Sequence, residues 1–144
     1  MNDLNKKVYS SITKLSAIIV PLWHKNLASL EISPSQAEVL TLLEKGDANI
    51  NKIACAMGVT SSAATQLVEA LEKKTLVTRT HASSDRRIVI VSMTNNGKIL
   101  LRKILNLQKK LINSLLQNLE SDELKKLYML HEKMIVAVQD GDLI

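Results

Sequence analysis

The sequence predicts a mainly α-helical protein that carries one small two-stranded antiparallel wing. Three observations point there. The chain of 144 residues is 46% hydrophobic, yet its only aromatic residues are Tyr9, Trp23 and Tyr128, so the core must be aliphatic. Apolar residues recur at three- and four-residue spacing at both ends, as in amphipathic helices. Between those ends lie two β-rich runs joined by a polar loop, the pattern of a hairpin. The length suits a single domain spanning residues 1–144.

The first helix is expected from about Leu4 to Leu27, with Leu4, Val8, Ile12, Leu15, Ile19 and Leu22 forming one stripe. Pro21 lies inside it, and its ring should clash with the Ala17 carbonyl, giving a kink or break. At the second helix Ser33 caps, Pro34 suits the first position and Gln36 completes a capping box. That helix stops near Gly46. A short helix from about Ile50 to Met57 is closed by Gly58, and Thr60 caps a fourth, from Ser61 to about Lys74, that buries Leu67, Val68 and Leu71. Helix, Gly-containing turn, helix outlines a helix-turn-helix. Leu76 to Arg79 and Ile88 to Val91 are the strands of a wing, with a tip from His81 to Arg86. Thr94 caps the longest helix, to about Leu119, striped by Leu100, Ile104, Leu107, Leu111, Leu115 and Leu119. Ser121 is expected to cap the last helix, where Asp122 and Glu123 complement the dipole. Leu124, Leu127, Tyr128, Ile135 and Val138 form its apolar face.

Net charge is +5. A basic balance favours nucleic acid or an anionic membrane surface, although solubility alone explains so small a total. Its distribution is more informative. From Arg86 to Leu119 there are seven bases (Arg86, Arg87, Lys98, Arg102, Lys103, Lys109 and Lys110) and no acid. One-sign clustering of this kind suits a surface facing phosphate. The longest apolar run near the start, Ala17 to Trp23, is far short of the roughly 20 residues of a membrane span, so no membrane partner is expected. A single cysteine, Cys55, allows no intramolecular disulfide, and no export signal is evident; both fit a cytoplasmic protein. Cys55 lies between Ala54 and Ala56, which suggests a buried, inert thiol. His24, His81 and His131 lack metal-ligand spacing, and no catalytic signature or cofactor motif is present. Neither metal, cofactor nor enzymatic activity is expected.

In element order the chain resembles the MarR family of bacterial regulators. "ISPSQAEVLTLL" is similar to that family's second helix, and "INKIACAMGVTSSAATQLVEALEKKTLV" to its third and fourth. "SSDRRIVIVSMTNNGKIL", the most specific segment, is similar to its wing and the start of its fifth helix. One departure is Thr75, where the family usually has Gly. The resemblance implies a winged helix-turn-helix lobe at 32–91 and a helical dimerisation lobe formed by 1–31 and 94–144. It also implies a homodimeric repressor of double-stranded DNA that reads a pseudo-palindromic site through recognition helices roughly 10 base pairs apart. The alternative is a winged-helix protein-interaction module without DNA binding.

The candidate DNA-binding residues follow. Thr60, Ser61, Ser62, Thr65 and Gln66 occupy the polar early part of the fourth helix. Their side chains can bond base edges, and an exposed helix N-terminus favours phosphate. Thr60 by itself could serve only as a cap. Ala63 and Ala64 keep the helix slim. At the wing, Asp85, Arg86 and Arg87 place guanidinium groups where a narrow minor groove attracts them. In the resembling family the Asp of this motif orients the Arg two positions later, here Arg87. Lys98 is a candidate phosphate contact. Relatives commonly respond to small anionic or phenolic effectors between the two lobes. Trp23 and His24 are the candidate pocket residues, with dimer-lobe core as the plainer reading of Trp23.

Overall fold

The computed structural model describes residues 2–139. The elements run α1 (Asp3–Ala28), α2 (Pro34–Leu43), β1 (Ala48–Asn49), α3 (Ile50–Met57), α4 (Ser61–Lys73), β2 (Val77–His81), β3 (Val89–Met93), α5 (Asn95–Leu116) and α6 (Ser121–Gln139). The chain divides into two compact units, 1–108 and 109–144.

Local signals place most boundaries of the first unit. The Ser33 hydroxyl accepts from the Gln36 N–H at 3.1 Å while Gln36 Oε1 accepts from the Ser33 N–H at 3.3 Å, closing the capping box. Gly58 ends α3 in the left-handed region at φ 64°, where a residue without Cβ meets no penalty. Thr60 caps α4 by accepting from the Ala63 N–H at 3.1 Å. The core is entirely apolar: Leu27, Leu40, Ile53, Val68, Leu71, Val77, Val91 and Ile104 are among its most deeply buried side chains.

The structure departs from expectation in several places. α1 runs without a break through Pro21, because proline removes only one donor and the flanking turns keep theirs. The sheet has three strands in the order β1-β3-β2, not two. Ala48 pairs with Val91 and Asn49 with Ile90. A two-residue strand has no alternation to read; it exists because β3 offers a free edge and Ala48 is small enough to be buried there. Cys55 is exposed, not buried. Ile53 and Ala54 face the core, and one residue further on α3 has turned about 100° away from it. Ala64 is fully buried, so its small size lets α4 pack against its neighbours, and only Ala63 of the two alanines stays partly exposed. In the second unit, Ser121 is the first helical residue of α6 rather than its cap, and Glu123 accepts from the Glu120 N–H at 2.8 Å. Leu124 and Leu127 are half-buried there and Tyr128 and Ile135 exposed, while the side chain of Val138 lies outside the described residues.

Thr75 follows α4 with φ +61°, a conformation that suits Gly and strains a β-branched residue. The strain is held from both sides. The Thr94 hydroxyl donates to the Thr75 carbonyl at 2.7 Å, and Asn96 Nδ2 donates to the Thr75 hydroxyl at 3.3 Å. Such strain costs on the order of 1–3 kcal/mol, more than glycine loses through unfolded-chain entropy. Thr75→Gly should therefore raise stability by about 1 kcal/mol, read as a higher melting temperature at fixed protein concentration; a lower one would contradict the strain.

Candidate nucleic-acid interface

α3 and α4 pack together, and α4 also packs on α2 and on β2. With Ala64, Val68 and Leu71 in the core, the opposite face of α4 is left outward. Ser62 and Gln66 are exposed on it. The Ser61 hydroxyl donates to Asn51 Oδ1 of α3 at 2.9 Å, and the Thr65 hydroxyl donates back to the Ser61 carbonyl at 2.9 Å. Thr60 is exposed but engaged as the cap. The five polar residues thus divide: three satisfy local backbone or α3, while Ser62 and Gln66 are the ones turned outward with polar groups open to a ligand. Sequence reading misses Asn51, since its partner is ten residues away and only the turn between α3 and α4 brings them together.

β2 pairs with β3 from Val77↔Met93 to His81↔Val89. Beyond them the tip closes as a turn, with the Ile88 N–H donating to the Asp85 carbonyl at 3.0 Å. Arg87 lies in that turn, ahead of β3. The expected pair with Asp85 forms. Asp85 Oδ1 accepts from the Arg87 N–H at 2.9 Å and from its Nε at 3.2 Å, and Oδ2 accepts from Nη2 at 3.1 Å. Side chain and backbone of one residue hold one carboxylate, a local Asx-type arrangement. The Arg87 side chain is first to hold the Asp85 carboxyl below the usual carboxylate range, its backbone N–H second, against slight desolvation. Despite this anchor the Arg87 side chain is 91% exposed. Arg86 is exposed beside it, and its carbonyl accepts from His81 Nδ1 at 2.7 Å.

Lys98 is exposed in the first turn of α5 and lines an open groove of about 590 Å³ with Glu44, Ile99 and Arg102. Trp23 packs against the core and His24 is exposed; neither lines this groove. Among the described residues no group of His, Cys, Asp and Glu is placed to hold a metal ion, and no helix is long and apolar enough to cross a membrane.

An outward polar helix of a helix-turn-helix beside a hairpin with an anchored arginine at its tip defines a winged helix-turn-helix protein. Residues 32–89 match the MarR family. The HTH-type transcriptional repressor MdtR of Bacillus subtilis (strain 168) is 29% identical over 142 residues, 98% of this chain and 92% of its own length. The crystal structure of the YusO protein from Bacillus subtilis is similar at TM-score 0.84 and 30% identity, covering 93% of this chain and 96% of that one. Wild-type apo MarR from E. coli shares the fold at TM-score 0.76 and 24% identity, covering 93% and 97%. The chain belongs to the MarR family: it is a DNA-binding transcriptional regulator and not an enzyme.

Proposed function

We propose that the chain is a cytoplasmic, homodimeric repressor that reads a pseudo-palindromic site in double-stranded DNA. The observation that carries this reading is the pairing of an outward Ser62–Gln66 face on α4 with an exposed Arg87 anchored at the wing. α4 enters the major groove, where Ser62 and Gln66 meet base edges, and Thr60, Ser61 and Thr65 keep the helix start in register. Arg87 enters the adjacent minor groove, while Arg86 and Lys98 meet phosphate. The dimer rests on apolar surface that one chain leaves uncovered. α1 exposes Leu4, Tyr9, Leu15 and Ile18, and α6 exposes Tyr128, Met129 and Leu130. Patches of this extent mark interaction sites, and a second copy buries them. A small anionic or phenolic effector completes the reading. Lys98 and Arg102 are better placed than Trp23 and His24 to take its charge, because they share an open groove.

Selection of bound sequences from random duplex DNA tests the proposal. Enriched sites should contain two inverted half-sites about 10 base pairs apart. No enrichment would instead favour a protein-interaction module. On the best selected duplex, Gln66→Ala should cost on the order of 1–3 kcal/mol and relax base preference at one position in each half-site. Titration against single-base variants reads this; an unchanged preference would mean that Gln66 faces no base.

A further inference from the structure

Along β2, residues two apart share a face of the sheet. Buried Val77 sets which face meets the helices, and Arg79 and His81 follow on the same side. Arg79 Nε donates to Glu72 Oε2 at 2.8 Å, Nη2 reaches the same oxygen at 2.8 Å, and Nη1 donates to Glu69 Oε1 at 3.2 Å. Glu69 and Glu72 are the only acids of α4 and lie one turn apart. A single planar guanidinium spans both carboxylates, which an ammonium group could not do with the same rigidity. The Glu72 hydrogen bond, ahead of the smaller contributions of Glu69 and against desolvation, raises the pKa of the guanidinium above its ordinary value. Two residues further along β2, His81 binds the Arg86 carbonyl, and Asp85 binds Arg87 in the same turn. Three separate sets of polar contacts thus occur in order from α4, along β2, to the wing tip.

We propose that Arg79 is a positioning residue that clamps the wing to the recognition helix, so that α4 and Arg87 address neighbouring grooves at one fixed spacing. The proposal rests on the reading of Arg87 as a minor-groove contact. A hairpin held only at its base would lose freedom on binding, and the clamp removes that freedom in advance.

The test measures affinity for the best selected duplex at fixed salt, with thermal unfolding in parallel. Arg79→Ala should weaken binding about tenfold, a coupling expected of groups in one network. Its melting temperature should move little, since partly exposed pairs contribute little stability. The double variant Glu69→Ala/Glu72→Ala removes two negative charges, so charge counting predicts tighter binding; the clamp predicts weaker binding. In an Arg87→Ala background both losses should shrink to less than about twofold. Tighter binding by the double acid variant, or an undiminished Arg79→Ala loss in that background, overturns the proposal. Wild-type affinity in Arg87→Ala alone overturns the wing reading as well, whereas a loss in Arg87→Ala with none in Arg79→Ala overturns the clamp only.

Discussion

Gly97→Ala should lower the stability of the fold by about 3 kcal/mol or more, near the upper end of what overpacking costs. A Cβ at this position would overlap the Leu76 carbonyl oxygen and come within 2.6 Å of Met93 Cγ. The methionine can move, but the carbonyl cannot, because it already accepts from the Thr94 N–H at 3.0 Å. The same Thr94 caps α5 by accepting from the Gly97 N–H at 3.0 Å. The first turn of α5 is therefore pressed against the start of the wing, with the missing side chain as the clearance. Helix propensity alone argues the other way, since Ala in a helix is favoured over Gly by about 1 kcal/mol. The sign of the change separates the two accounts. Thermal unfolding should show a fall of about 10 °C at fixed protein concentration. A rise would mean that the approach of α5 to Leu76 is looser than described.

Arg87→Ala should weaken DNA binding about tenfold or more, and Asp85→Ala several-fold, with the fold unchanged in both. Arg87 projects into solvent, so its removal should leave the packing of the wing intact. Asp85 carries the informative sign. Removing an acid near DNA should tighten binding by simple charge counting. Its carboxylate, however, holds both the backbone N–H and the guanidinium of Arg87, and a held arginine loses less freedom when it enters a groove. Tighter binding by Asp85→Ala at fixed salt would show a merely repulsive charge. The pH response follows from the same pair. A carboxyl with a depressed pKa keeps its contribution as pH falls past the ordinary carboxylate range and loses it only on falling through its own lower value. The contribution of the Asp85–Arg87 pair, read as the difference between the wild type and Asp85→Ala, should accordingly be flat from neutral to mildly acidic pH, as titrations at several pH values can check.

Elements whose cause is local were legible from residue type and spacing. Ser33 with Gln36, Gly58, Thr60 and Thr94 each satisfy or terminate a helix end using neighbours no more than three residues away, and that chemistry can be read along a line. The order of helices, turn and hairpin followed from it, whereas the Asp85–Arg87 pair was implied by the family resemblance. Asp85 grips Arg87 from within the turn that closes the hairpin tip, ahead of β3. Cys55 and Ala64 show what residue type leaves open. Both are small residues on short helices, and only the rotational phase set by packing of Ile53 and Val68 decides that one is exposed and the other buried.

Element order, most of the helix ends and the two long strands of the wing were readable along the chain, because each depends on contacts within a few residues or on a repeating apolar pattern; the end of α5 and the start of α6 were misplaced by a few residues. Tertiary structure alone decided the third strand, the Ser61–Asn51 bond and the grip of Arg79 on Glu69 and Glu72. It also decided the need for glycine at position 97. These depend on which surfaces meet after the chain has folded back on itself. Glu69 and Arg79 are ten residues apart, and nothing in their spacing requires them to touch until α4 and β2 lie side by side.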